Sequence, residues 1–167
     1  MPSADVCFAA LEGVLPWLPV VLALSVNSPY LAGQETGLAS NRAEVLVQLP
    51  RSGAPPVFGS FEGWERFVAR FVAAGLADDY TRFWWDVRPH PRFGTLEVRM
   101  PDQPTALART TAFVALLQTM CAYFAAEQGE AAEIMVAACV PEVGEHVLQA
   151  EPQIFSLHVA VQHRERS

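Results

Sequence analysis

Apolar and polar positions alternate with a period of two through "FWWDVR" (83–88) and again through "TLEVRM" (95–100), which is the pattern of half-buried strands. The intervening "PHPRFG" (89–94) is turn chemistry. The two runs are therefore expected to pair as an antiparallel hairpin. Trp84, Asp86 and Arg88 share one face of the first strand, and Thr95, Glu97 and Arg99 share one face of the second. Phe83, Trp85, Val87 and Leu96, Val98, Met100 take the opposite faces. Burying the apolar side forces the two charged faces to coincide. Two registers satisfy that condition. In one, Arg88 opposes Glu97 and Asp86 opposes Arg99, a ladder of ion pairs. In the other, Asp86 opposes Glu97, and like charges face to face would call for a cation. The ion-pair ladder is the favoured reading, with Glu97 and Arg99 turned away from the helices that cover the apolar side.

Elsewhere the apolar spacing is helical. Ser3 can cap a helix from about Ala4 through the teens, which Pro16 and Pro19 interrupt or restart. "SVNSPYLAGQETG" (25–37) reads as a loop. Ser40 can cap a short helix to Leu49, and "PRSGAPPVFGS" (50–60) is a Pro/Gly connector. Ser60 then caps a helix to about Ala74, with Trp64, Phe67, Val68, Phe71 and Val72 on one face and Gly75 as the stop. A long helix is expected over about 105–128, with Phe113, Leu116, Leu117, Met120, Cys121 and Phe124 as its core stripe and Gly129 ending it. The segment 131–140 reads as a helix and 152–163 as a strand. The class is α+β, helices packed on a small antiparallel sheet.

Composition narrows the function. With 167 residues, 51% of them hydrophobic and 17% charged, the chain can bury the core of a single domain. Eleven arginines, no lysine and a net charge of −7 argue against nucleic acid as a partner. The run "VLPWLPVVLALSV" (14–26) is too short to span a bilayer and holds two prolines, and no basic residue precedes Arg42 as a secretory signal would require. A cytoplasmic protein without membrane partners is expected. Cys7, Cys121 and Cys139 are widely spaced and form no CxxC, so buried thiols are expected rather than a disulfide framework or a zinc site.

Three stretches carry a resemblance: "ALSVNSPYLAGQETGLASNRAEV" (23–45), "LPRSGAPPVFGS" (49–60) and "WWDVRPHPRFGTLEVRMPDQPT" (84–105). Together, in this order and spacing, they resemble the glutamate–cysteine ligase type 2 family, whose bacterial members are called carboxylate–amine ligases. The resemblance covers roughly 3–128. It implies a glutamine-synthetase-like fold in which helices back an antiparallel sheet and the other face of the sheet is the active site. It implies joining of an amine to the γ-carboxylate of glutamate through an acyl phosphate, with ATP as co-substrate and Mg²⁺ as cofactor. Such chemistry uses metal ions to bridge phosphate oxygens and arginines to neutralise the transferring charge. By resemblance, Glu97 matches a Mg²⁺-binding acid, and Arg99 the arginine directed at the transferred phosphate. Arg42 matches an arginine lining the substrate site, with Asn27 and Ser28 shaping the adjoining loop. Asp86 and Arg88 support them, and Arg88 also belongs to the substrate side. Without the resemblance, Arg42 would read as a solvated helix arginine. A strand places Glu97 and Arg99 about 7 Å apart on one face, a span suited to a metal–phosphate unit.

The resemblance also has gaps. The family's glutamate-rich strand has no counterpart in this sequence, and nor does the "HVHVG"-like strand that should precede the segment matching 2–25. "FSLHVAV" (155–161) at the C-terminus resembles the latter, with His158 at the first histidine position, which makes His158 a second candidate metal ligand; the alternative is an added edge strand carrying an ordinary histidine. A truncated gene, a permutation or a fragment that needs a partner chain all fit. The 130–167 tail is otherwise divergent. The expected protein is an incomplete ligase, or else a catalytically degenerate binding or assembly domain. A bare sheet edge and an uncovered apolar surface are liabilities in a monomer, so a homo-oligomer or a complementing chain is expected. Light scattering at micromolar concentration should return more than the monomer mass.

Overall fold

The computed structural model describes residues 4–127 in full and the backbone of 132–139 and 156–163. The first helices are α1 (Ala4–Val14) and α2 (Leu18–Ser25), joined by a 3-10 turn over Leu15–Trp17 where Pro16 and Pro19 sit in first-turn positions. There a missing N–H leaves no hydrogen bond unmade. The helical run Ala4–Ser25 is thus 22 residues long, apolar enough to cross a membrane by length and composition. Its stripe of Val6, Ala10, Leu11, Val14, Leu18 and Val21 is buried as core.

Helix α3 (Asn41–Val47) starts where Ser40 Oγ accepts from the Ala43 N–H, and α4 (Phe61–Ala73) where Ser60 Oγ accepts from the Gly63 N–H. Both caps are the serines expected from the sequence. Helix α4 ends at Gly75 (φ +68°), whose N–H reaches the Val72 carbonyl while Leu76 N–H reaches Phe71. This left-handed closure favours glycine. The long helix α5 (Leu107–Ala126) begins two residues later than expected. Within the expected stripes, Leu117 and Cys121 are buried, whereas Leu116 and Val72 face outward. Gly129 and Ser3 lie outside the described residues.

Three departures concern strands. The 25–37 loop contains a small hairpin, β1 (Tyr30–Leu31) and β2 (Gln34–Glu35). Ala32 and Gly33 both take positive φ between them, the two-residue turn whose twist matches paired strands. The charged hairpin is β3 (Val87–His90) and β4 (Thr95–Val98), so pairing runs further toward the turn and begins later than 83. Finally, the helix expected over 131–140 is instead strand β5 (Ala132–Cys139). Local alanine content favours helix, but pairing along β6 (Ser156–His163) satisfies a full row of backbone groups, and tertiary context overrides propensity. The four-stranded sheet has the order β3-β4-β6-β5, antiparallel throughout. The fold is α+β, as expected.

Two apolar clusters hold the helices to the sheet. Val87, Leu96 and Val98 pack with the α1–α2 stripe and with Leu117, Cys121 and Ala125 of α5. Phe83 and Trp85 pack with Phe8 and with Trp64 on α4. Burial pushes the Cys7 and Cys121 thiols up to about 12, so both are inert neutral thiols, and both are free. Helices α1 and α5 cross at Gly13, where an added Cβ would lie 2.2 Å from Phe124 Cγ and 2.6 Å from its Cβ. Gly13→Ala should therefore destabilise by about 1–3 kcal/mol through overpacking, against the gain of about 1 kcal/mol that helix propensity alone would give. Urea denaturation of the two proteins decides the sign.

Candidate functional site

On the sheet face opposite the helices, the hairpin register is the ion-pair ladder: Arg88 opposes Glu97, and Arg99 N–H donates to the Asp86 carbonyl at 2.7 Å. Arg88 Nε donates to Glu97 Oε2 at 2.5 Å and Arg99 Nη1 to Glu97 Oε1 at 2.9 Å. Arg88 Nη1 also reaches the carbonyls of Thr81 and Phe83. All three side chains are buried; Glu97 and Arg99 are each 4% exposed. Arg99 Nε and Nη2 are buried with no hydrogen-bond partner among the described residues. These two groups form the side edge of a guanidinium, the fork that matches a carboxylate or phosphate in bidentate fashion.

The substrate-loop candidates converge beside this face. Asn27 N–H and Ser28 Oγ both donate to Asp102 Oδ2 at 2.7 Å, and Ser40 Oγ donates to Asp102 Oδ1 at 2.8 Å. The Asp102 N–H donates to Ser25 Oγ at 3.1 Å. Ser28 Oγ in turn accepts from the Arg42 N–H at 3.1 Å, and the Ser28 carbonyl accepts from Asn41 N and Nδ2. Asn27 Nδ2 donates to the Gln103 carbonyl, and Arg42 Nη1 to the Met100 carbonyl at 3.1 Å. Asn27, Ser28 and Arg42 thus gather at Asp102, Arg88 and Arg99 gather at Glu97, and Arg42 lies close enough to Arg99 and Asp86 to feel their charge. His158 occupies the register position opposite Glu97 on β6; its side chain lies outside the described residues.

Asp102 was not singled out by sequence. Its signal is its place directly after the second strand in "VRMPD", behind a proline, facing a chain with serines at 25, 28 and 40. Arg51 was missed too. It takes φ +56°, donates from Nε to the Arg82 carbonyl and lies over the rings of Phe83 and Trp84, while the next glycine, Gly53, accepts the Asp86 N–H.

Burial lowers the Arg42 guanidinium to about 10, a fall opposed by Asp102, deepened by Arg99 and opposed again by Asp86. Burial likewise lowers Arg99, against the attraction of Glu97, and raises Asp86 against the pull of Arg42 and Arg99. Arg42 therefore stays cationic at neutral pH. The described donors do not by themselves fit a divalent cation. Among the described residues no group of three His, Cys, Asp or Glu could hold one, and both Glu97 oxygens face arginines. The same donors do fit an anion, since an unused, buried guanidinium edge is an anion-binding element.

The profile of the glutamate-cysteine ligase family 2 matches residues 1–138. A protein of Rubrobacter xylanophilus named "Putative glutamate--cysteine ligase 2-3" is 47% identical over 130 residues, 78% of this chain and 35% of that one. The glutamate–cysteine ligase of Haloferax volcanii is 49% identical over 98 residues, 59% of this chain and 27% of the relative. The chain belongs to glutamate-cysteine ligase family 2. It spans about a third of the length of the curated relatives it matches.

Two outcomes follow from this geometry. Glu97→Gln leaves two buried arginines without their shared counter-ion and should destabilise by about 3–5 kcal/mol in denaturant titrations. For Asp86 the sign runs with burial. Its folded pKa lies above its ordinary value, so the folded protein keeps a proton that the unfolded chain releases. Stability is then lost as pH rises from the ordinary carboxylate range through the raised value, and Asp86→Asn should remove that slope from unfolding midpoints measured across the same range.

Proposed function

We propose that the chain forms the arginine-bearing part of an ATP-dependent carboxylate–amine ligase of the glutamate–cysteine ligase kind, in a glutamine-synthetase-like arrangement and in the cytoplasm. In the proposed reaction, a γ-carboxylate oxygen of glutamate attacks the terminal phosphorus of ATP. The bond to ADP breaks and an acyl phosphate forms. The amine nitrogen then attacks the acyl carbon, a C–N bond forms, the nitrogen loses a proton and phosphate leaves. The observation that carries this reading is the unused Nε/Nη2 edge of Arg99. A buried donor without a partner costs about 1–3 kcal/mol, more when charged, and phosphoryl oxygens would satisfy both groups at once.

In this reading Arg99 neutralises the transferring phosphoryl group. Arg42 takes the substrate's anionic end, with Asn27 and Ser28 forming the wall of its loop. Arg88, already committed to Glu97 and two carbonyls, faces the substrate only through Glu97. Glu97 and His158 would hold Mg²⁺ only together with further acids, and the metal would then offset phosphate charge. The chain is proposed to act as a homo-oligomer or with a complementing chain. Residues 3–128 form, on this proposal, the C-terminal part of a ligase catalytic domain, and the 130–167 tail adds a substitute strand.

The absence of a three-ligand metal group among the described residues favours a second reading, a catalytically degenerate domain that binds nucleotide or amino acid or assembles with itself. A coupled ATPase assay with glutamate and a panel of amines, run on the chain alone and with any complementing chain, separates the two, because ATP bound without turnover in both cases favours the second. In calorimetry the protein should bind ATP, and Arg99→Ala should weaken that binding about ten- to hundredfold, the loss expected for charge-assisted hydrogen bonds. A protein that binds neither ATP nor glutamate overturns the ligase reading and leaves only the self-assembly form of the second.

A further inference from the structure

We infer that Asp102 is the positioning residue of this site, the group through which the end of the sheet sets the place and charge environment of Arg42. The inference rests on the proposed reading of Arg42 as an anion-binding group. Asp102 is 1% exposed, and both of its oxygens are taken by donors from other elements: Asn27 N–H and Ser28 Oγ on one, Ser40 Oγ on the other. An ionised carboxylate only accepts, which suits three converging donors. An amide in its place keeps one oxygen and turns an NH₂ group against the remaining donors.

The contacts lead to Arg42 by three routes. The Ser28 hydroxyl that donates to Asp102 accepts the Arg42 backbone N–H, and a hydroxyl polarised by an anion is the better acceptor. Ser40 Oγ, the other hydroxyl on Asp102, accepts from Ala43 N–H and so caps the helix that begins beside Arg42. The guanidinium itself is held by the carbonyl of Met100, two residues before Asp102. The charged groups that act on Arg42 are Asp102, Arg99 and Asp86, and of the two acids Asp102 contributes more to keeping it protonated despite burial. A loop staple would need only the hydrogen bonds; this arrangement adds a charge aimed at one arginine.

The test is carried out on the whole chain, with inorganic phosphate as the anionic probe and ¹³C NMR of the arginine side chains as the titration readout. In the wild type Arg42 should titrate near about 10 and shift on phosphate addition. Asp102→Asn, with its fold checked by circular dichroism, should lower the Arg42 titration and weaken phosphate binding by about tenfold or more, and Asp102→Glu should recover part of both. Should Asp102→Asn fail to fold, Ser28→Ala keeps the charge and removes the hydroxyl link: phosphate binding should fall several-fold while Arg42 still titrates near about 10. Folded variants with unchanged Arg42 titration and unchanged phosphate affinity overturn the inference. An Arg42 titration that moves in Asp102→Asn, in a wild type that binds neither ATP nor glutamate, leaves the positioning role standing and removes the ligase reading.

Discussion

One buried carboxylate ties together the parts of this chain that face the sheet's polar side. Asp102 lies just past β4 and accepts from the segment after α2 and from the start of α3. These partners are 62 to 75 residues away in sequence, so the carboxylate closes loops whose entropy no local contact would recover. It can do so because its donors are half-buried and hydrogen bonds to a charged acceptor are roughly twice as strong as neutral ones. The loop 25–28, the cap of α3 and the position of Arg42 all depend on this carboxylate remaining ionised and in place.

The charged face of the hairpin obeys the same constraint in another form. Burying Arg88, Glu97 and Arg99 together is costly, and an ion pair in the interior is weak grounds for stability. What makes it tolerable is that each carboxylate oxygen of Glu97 meets a guanidinium, while Arg88 closes further bonds on the carbonyls of Thr81 and Phe83. The apolar clusters on the opposite side supply the compensating burial, since Val87, Leu96 and Val98 are fully enclosed by helices. Alternation along two short strands thus divides the sheet into a face that stabilises and a face that can act.

Much of this division was legible in sequence because it follows from local periodicity. The period of two through 83–88 and 95–100 gave both faces, and like-charge repulsion between Asp86 and Glu97 selected the register that occurs. Ser40 and Ser60 announced their helices because capping is decided within one turn. Asp102 was not legible because its meaning lies in partners from distant segments, and an acid after a proline in a turn looks like surface chemistry. Strand β5 was misread for a related reason. Its alanines favour helix locally, and only the neighbouring β6 makes it a strand.

The polar face is balanced in charge and unbalanced in hydrogen bonding, and that imbalance is what points to a ligand. Arg42, Arg88 and Arg99 stand against Asp86, Glu97 and Asp102, three cations to three anions. The carboxylates of Glu97 and Asp102 spend their oxygens on protein donors, yet an entire edge of the buried Arg99 guanidinium meets no acceptor among the described residues. A face that merely needed to be buried would gain by pairing that edge, because an orphaned charged donor is more costly than a neutral one. Asp86 adds to the bias, because burial favours its neutral form, and each proton it takes leaves the arginines with less internal compensation. On the proposed reading, an anion with paired oxygens would complete this face at Arg99.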